Sequence, residues 1–129
     1  MKIEHLAIWV ENLEATREFY EKYFGAAAGP KYVNAAKRFE SYFLSFGDGC
    51  RLELMHRPGL GPSAGNHENP AAGIAHFAVA AGSREAVDAL TERLRRDGFR
   101  IVGEPRTTGD GYYESVVLDP AGNLVEITV

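Results

Sequence analysis

Apolar and polar residues alternate along several short stretches of this chain, as they do in half-buried β-strands. The first stretch is 2–10, and the strongest β signal lies at 38–46. Between them, apolar residues at helical spacing predict a helix over 13–24, which begins after Asn12 and ends at Gly25. A further short strand is predicted at 32–33, a hairpin turn at 47–49 and a strand at 50–56.

The second half of the chain repeats this plan. A strand at 74–81 leads into a helix that begins after Ser83 and extends to about residue 97, before Gly98. The second half continues with strands at 99–104, 112–119 and 124–129, separated by a loop at 107–111 and a turn at 119–123. Each half therefore reads βαβββ. One helix cannot cover both faces of a four-stranded sheet, so two such halves are expected to enclose a cavity between their bare faces.

Single residues show the same duplication. The first half has His5 near its start and Glu53 near its end, and the second half has His76 and Glu126 in the same places. The step along the chain from Glu53 to Glu126 equals the steps from Gly25 to Gly98 and from Gly49 to Gly122. The step from His5 to His76 is shorter by two positions. A single small difference in length reconciles all four steps, which indicates an internal duplication.

The predicted fold is α+β, with two paired βαβββ modules that form an open, cavity-enclosing mixed β-sheet barrel with outer helices. Module one spans about 1–57 and module two about 73–129 of a single domain. Residues 58–72 are rich in Pro and Gly and are predicted to be a linker loop. A second interpretation of this stretch is a loop that covers a site, because long ordered loops in compact domains are often functional.

Strand alternation assigns the candidate metal ligands to one face in each module. His5, Glu53, His76 and Glu126 each lie opposite apolar residues, which should pack on the helices. The four candidates should then point into the shared cavity, where two imidazoles and two carboxylates suit a divalent metal ion. The other histidines fit less well, since His56 alternates with Leu52 and Leu54 and His67 lies in the linker.

Composition argues against some classes of binding partner and indicates the cellular compartment. The chain is 45% hydrophobic and carries a net charge of −4, which disfavours nucleic acid or an anionic membrane as a partner. The single cysteine, Cys50, permits no intrachain disulfide and is interpreted as a small strand residue. No signal-peptide pattern and no apolar run of the ~20 residues needed for a membrane span is present. A cytoplasmic protein is expected.

Several segments together resemble the glyoxalase I / bleomycin-resistance / dioxygenase group, the vicinal oxygen chelate superfamily. The resemblance covers nearly the whole chain, and the ending Asp119-Pro120-Ala121-Gly122-Asn123 with Glu126 is its most specific part. The other segments that carry it are the His5 strand with the helix behind it, Ser41-Tyr42-Phe43-Leu44, Arg51-Leu52-Glu53-Leu54-Met55 and Gly73-Ile74-Ala75-His76-Phe77-Ala78-Val79.

The resemblance implies a small-molecule substrate, a homodimer and a divalent ion (Zn²⁺, Ni²⁺, Co²⁺ or Mn²⁺) held at the positions of His5, Glu53, His76 and Glu126. In such metal-dependent members the ion stabilises an enediolate formed by proton transfer. Glu126 is then the expected catalytic base, with Glu53 as its counterpart. The expected substrate-binding residues are Trp9, Phe43, Met55 and Tyr112.

Three functions remain open from the sequence. The first is a glyoxalase I-like lyase or isomerase acting on the thiol adduct of a 2-oxoaldehyde. The second is another metalloenzyme of the group, such as an epimerase-like enzyme or a dioxygenase. The third is a metal-free protein that sequesters a flat aromatic drug, as antibiotic-resistance members of the group do. Its aromatic walls would come from Tyr32, Phe39, Tyr42, Tyr112 and Tyr113.

Overall fold

The structure is a computed structural model that describes residues 1–62 and 65–129. The chain divides into two units, Met1–Pro62 and Ser63–Val129. The division falls inside the stretch predicted to be a linker, of which residues 63 and 64 lie outside the described residues. Of the helices in the described ranges, none is long and apolar enough to cross a bilayer.

The first unit is a five-stranded mixed sheet with one helix. Its elements in chain order are β1 (His5–Trp9), α1 (Leu13–Phe24), β2 (Ala27–Ala28), β3 (Tyr32–Asn34), β4 (Phe39–Ser45) and β5 (Arg51–His56). The sheet order is β1-β5-β4-β2, and β3 also pairs with β4. The first and last strands, β1 and β5, are parallel neighbours, whereas β4 runs antiparallel to β5.

The second unit is a four-stranded sheet of the same design. Its elements are β6 (Phe77–Ala80), α2 (Arg84–Arg96), β7 (Ile101–Thr107), β8 (Tyr113–Leu118) and β9 (Leu124–Thr128). The sheet order is β6-β9-β8-β7, and the first and last strands are again parallel. The predicted α+β fold of two βαβββ modules is confirmed, with β2 as an additional short strand that the sequence did not predict.

The ends of both helices follow the predicted capping residues. The side chain of Asn12 accepts a hydrogen bond of 3.0 Å from the backbone N–H of Ala15, and Ser83 accepts one of 3.2 Å from Ala86. Gly25 ends α1 in the left-handed conformation, with φ at 66°. A side chain is strained at such a φ, so glycine suits this position.

Each helix covers the apolar face of its own sheet. In the first unit, Leu52 and Leu54 are buried beneath α1. In the second unit, Val125 and Ile127 are buried beneath α2. Since neighbouring residues in a strand point to opposite faces, Glu53 and Glu126 project from the sheet faces that the helices leave uncovered.

Several predicted strand ends were wrong, and β7, for example, ends at Thr107 rather than at residue 104. β1 begins at His5 rather than at residue 2, because its ladder with β5 starts where His5 faces Arg51. Cys50 therefore lies outside the ladder and is exposed instead of occupying a strand position. For the same reason β6 begins at Phe77, and His76 stands one residue before the strand.

The buried face of α2 includes a polar residue. Thr91 is fully buried, whereas Leu90 is only half-buried. The hydroxyl of Thr91 donates to the carbonyl oxygen of Val87 at 2.7 Å and lies 2.6 Å from the hydroxyl of Ser115 on β8. A buried hydroxyl is tolerated when it is hydrogen-bonded, so this pair joins the helix to the sheet through a polar contact inside the core.

We predict that Thr91→Val will destabilise the protein by about 1–3 kcal/mol, because the buried Ser115 hydroxyl would lose its acceptor. Ser115→Ala is the matched control. It should cost only about 0.5–1.5 kcal/mol, since Thr91 would keep its bond to Val87. Urea unfolding of both variants and of the double variant measures these values. A Thr91→Val protein as stable as the wild type would contradict the buried pair.

Candidate metal and catalytic site

In the first unit, His5 and Glu53 lie side by side on the uncovered sheet face. The Nε2 atom of His5 is 3.8 Å from the nearest carboxylate oxygen of Glu53. The parallel register places Ala7 directly beside Glu53, so the glutamate reaches diagonally toward the start of β1. The imidazole is 40% exposed and the carboxylate 15% exposed, which leaves the pair open to a ligand on one side.

The other ring nitrogen of His5 is held by a carboxylate. Its Nδ1 atom lies 2.6 Å from Glu4 Oε2. The guanidinium of Arg51 donates to the second oxygen of Glu4, at 2.7 Å from Nε, and lies over the ring of Phe43 at 4.2 Å. The hydrogen bond from His5, followed by the bond and charge of Arg51, lowers the pKa of Glu4.

The second unit contains the equivalent pair. The Nε2 atom of His76 is 3.2 Å from Glu126 Oε1, and Ala78 stands directly beside Glu126 in the parallel register. The imidazole is 45% exposed and the carboxylate 17% exposed. The two modules therefore present the same arrangement of nitrogen and oxygen, twice in one chain.

Burial and charged neighbours shift the pKa of Glu126. Burial raises its pKa, and the negative charges of Glu114 and Asp110 raise it further. The charges of His76 and Arg106 act in the opposite direction but do not cancel the effect of burial. A carboxyl group with a raised pKa is better suited to accept and return a proton near neutral pH.

The donor spacing in the second pair matches that of two ligands on one metal ion, and the spacing in the first pair is slightly longer. Ligand atoms at about 2.0–2.2 Å from a shared cation are about 3–3.5 Å apart, close to the 3.2 and 3.8 Å of the two pairs. Among the residues that the structure describes, no three His, Cys, Asp or Glu side chains are grouped to hold one ion. One unit thus supplies two of the four predicted donors, and the full set stays a prediction.

Three of the predicted substrate-binding residues lie on the same sheet face as the first pair. Phe43 stands directly beside Glu53, and its ring contacts His5 edge to face at 5.3 Å between centroids. Met55 pairs with Trp9 at the far end of β1. Trp9 is 44% exposed, contacts Phe39 and has the Arg57 guanidinium 5.1 Å above its ring.

The remaining aromatic residues are spread over both units. Tyr112 is exposed in the loop before β8, where its backbone N–H bonds to the Thr108 hydroxyl. Tyr42 lies on the helix side of its sheet, where its hydroxyl donates to Glu14 of α1. Tyr113 donates to Asp88 of α2 at 2.7 Å. Tyr42 and Tyr113 therefore do not line the faces that carry the His and Glu pairs, which counts against them as walls of a drug site.

Sequence reasoning missed the charged residues around the two pairs. Glu4 fell inside the strand predicted at 2–10, where alternation would turn it away from His5; in the structure it lies before β1 and contacts the imidazole. Arg51 was given no role, and the ion pair of Arg106 with Glu114, at 3.6 Å, was not anticipated. Glu4 beside His5 in the sequence was the one available signal, since carboxylates often accept from ligand histidines.

Comparison with known proteins shows the family of the chain. Residues 2–127 match the family model of the Glyoxalase/Bleomycin resistance protein/Dioxygenase superfamily. The chain belongs to this superfamily. The resemblance inferred from the sequence motifs is therefore confirmed for almost the entire chain.

Two relatives in this superfamily are enzymes by name. An ethylmalonyl-CoA/methylmalonyl-CoA epimerase of Cereibacter sphaeroides is 32% identical over 114 residues, which are 85% of this chain and 82% of that protein. A lactoylglutathione lyase of Arabidopsis thaliana is 28% identical over 127 residues, which are 95% of this chain but 42% of that protein. The chain therefore spans less than half the length of the lyase.

Solved structures of the superfamily show the same fold. A possible glyoxalase from Bacillus cereus is 30% identical with a TM-score of 0.74, covering 100% of this chain and 99% of that one. Glyoxalase I from Zea mays is 25% identical with a TM-score of 0.80, covering 98% of this chain but 44% of that one.

We predict that Glu126→Gln will stabilise the metal-free protein at about pH 7 relative to the wild type, and less so at about pH 4. The folded state raises the pKa of Glu126, so ionisation of this carboxyl disfavours folding. That penalty is absent below the unfolded pKa of about 4.3 and complete above the raised folded pKa. Urea unfolding with a chelator present measures the difference. An equal effect of the substitution at both pH values would refute the prediction.

Proposed function

We propose that this protein is a divalent-metal-dependent lyase or isomerase of the glyoxalase I type, which moves a proton between neighbouring carbons of a small thiol-adduct substrate. The observation that carries the proposal is the duplicated pairing of a histidine nitrogen with a carboxylate, at 3.8 Å in module one and 3.2 Å in module two. All four positions hold residues that bind such ions, and the superfamily includes enzymes.

The donors for the ion are His5, Glu53, His76 and Glu126. Two nitrogen and two carboxylate oxygen ligands, completed by water or substrate, fit Zn²⁺, Ni²⁺, Co²⁺ or Mn²⁺. When bound, the ion supplies Lewis acidity that stabilises negative charge on the oxygen atoms of the substrate. A homodimer is part of the proposal, in line with the resemblance to the group.

Glu126 is the proposed catalytic base. Its carboxylate accepts the proton taken from one carbon and returns it to the neighbouring carbon. In the metal-free protein, burial raises the pKa of this group. His76, whose Nε2 atom lies 3.2 Å from Glu126 Oε1, is the proposed histidine ligand beside this carboxylate. Glu53 occupies the equivalent position in module one and is the proposed second carboxylate.

A second candidate function is epimerisation at the carbon next to a CoA thioester. The epimerase relative favours it, because its 32% identity extends over four-fifths of both proteins. Both candidates require removal of a proton from a carbon activated by an adjacent oxygen, so the same glutamate serves either reaction. They differ in the carbon that receives the proton.

We expect the protein purified without chelator to contain a divalent metal ion, and Glu126→Gln to lower kcat by about 10²–10⁴-fold, the usual contribution of a positioned base. Metal analysis and assays with hemithioacetals of several thiols measure these effects. Removal of the ion with chelator should abolish turnover, and re-addition should restore it.

The outcomes of this experiment separate the alternatives. Failure with every thiol, together with proton exchange on an acyl-CoA in deuterated water, would reject the glyoxalase type in favour of the epimerase. Absence of a stoichiometric metal, with Glu126→Gln binding a flat aromatic drug as the wild type does, would reject the enzyme in favour of sequestration.

We further expect substrate to quench the fluorescence of Trp9, the single tryptophan of the chain. This ring is 44% exposed on the face that carries His5 and Glu53. Trp9→Phe should raise KM several-fold while leaving kcat within about two-fold, as expected when only ground-state binding is lost. Tyr42→Phe, on the opposite face, is the matched control and should leave both unchanged. No quenching at saturating substrate would remove Trp9 from the binding site.

A further inference from the structure

We infer that Glu4 and Arg51 act as a positioning pair that fixes the ring of His5 with its Nε2 atom turned toward Glu53. The inference deepens the proposed function, because it concerns one of the four proposed ligands. Its first observation is the contact of 2.6 Å between His5 Nδ1 and Glu4 Oε2. A carboxylate that accepts from one ring nitrogen fixes the proton there, so the other nitrogen keeps its lone pair for a ligand.

Three contacts hold Glu4 in place. Arg51 donates from Nε to Oε1 of Glu4 at 2.7 Å, and its Nη2 forms an ion pair with the same oxygen. The backbone N–H of Arg51 also donates to the carbonyl oxygen of Glu4 at 3.0 Å. Exposed ion pairs usually contribute little when two flexible side chains meet. Here the backbone bond restrains Glu4, and its Oε2 atom remains available to His5.

Phe43 provides a common support for both partners of Glu4. The Arg51 guanidinium lies 4.2 Å from the centroid of this ring, and the His5 imidazole contacts its edge at 5.3 Å between centroids. Phe43 in turn stands directly beside Glu53 in the sheet. The imidazole is therefore restrained from both sides, by a hydrogen bond at Nδ1 and by packing against an aromatic ring.

Module two lacks this arrangement, although it contains the same His and Glu pair. Ala75 precedes His76, and Leu124 stands where module one has Arg51. Among the described residues, His76 has no carboxylate at its Nδ1 atom, and its ion pair is with Glu126 alone. The duplication thus supplies an internal comparison, in which one histidine is fixed by its neighbours and the other is not.

The test measures the tautomer of each imidazole in the metal-free protein by long-range ¹H–¹⁵N NMR, about two pH units above the ordinary His pKa of about 6.5. The wild type should show His5 with its proton on Nδ1. Glu4→Ala, which installs the residue found before His76, should shift His5 toward the Nε2-protonated form. Glu4→Gln keeps an acceptor and should largely retain the wild-type tautomer. Arg51→Leu should give an intermediate result.

The same variants are then titrated with Zn²⁺ and Co²⁺. Glu4→Ala should weaken cation affinity by about 10–100-fold, the usual effect of removing such a partner of a ligand histidine. Glu18→Ala, which removes an exposed carboxylate of α1, is the charge-matched control and should retain wild-type affinity. Circular dichroism spectra identical to the wild type would establish that the variants are folded.

The two readouts separate the inference from the proposed function. An unchanged His5 tautomer in Glu4→Ala would overturn the positioning pair, whatever the metal content of the protein. If the wild type binds no cation, but the His5 tautomer still shifts in Glu4→Ala, the metal-dependent function would be overturned and the positioning pair would be supported. Equal losses of affinity in Glu4→Ala and Glu18→Ala would also overturn the pair, because the effect would then reflect net charge.

Discussion

The parallel pairing of the first and last strands within each module is the constraint on which the candidate site depends. In module one Ala7 stands beside Glu53, and in module two Ala78 stands beside Glu126. The histidine lies two residues before that alanine in both cases. Because side chains alternate in a strand, a register shift of one residue would turn each glutamate toward the helix and separate it from its histidine.

The alanine at the centre of each pairing has a steric role. A larger side chain in place of Ala7 or Ala78 would extend into the space between the carboxylate and its histidine. Module two has two more residues between His76 and Gly98, the glycine after its helix, than module one has between His5 and Gly25. The additional length therefore falls in the helical part of the module and leaves the register of the strand ladder intact.

The two modules have nevertheless diverged around the shared pair. Phe43 stands beside the glutamate in module one, and Val116 occupies that position in module two. Module one surrounds its histidine with an aromatic ring, a carboxylate and a guanidinium. Module two instead places Glu114 and Arg106 near Glu126, which alters the charge around the carboxylate rather than the orientation of the imidazole.

The sequence by itself determined the α+β fold of two βαβββ modules, the capping residues of both helices and the faces that carry His5, Glu53, His76 and Glu126. These features follow from local periodicity and from the duplication, both of which can be recognised from the order of residues alone. Strand ends, the buried hydroxyl of Thr91 and the contacts of Glu4 with His5 and Arg51 were decided only by tertiary structure. Each depends on which partner a neighbouring strand or helix places within hydrogen-bonding distance. That partner is distant in the chain, or, like Glu4, lies outside the strand in which alternation would have placed it.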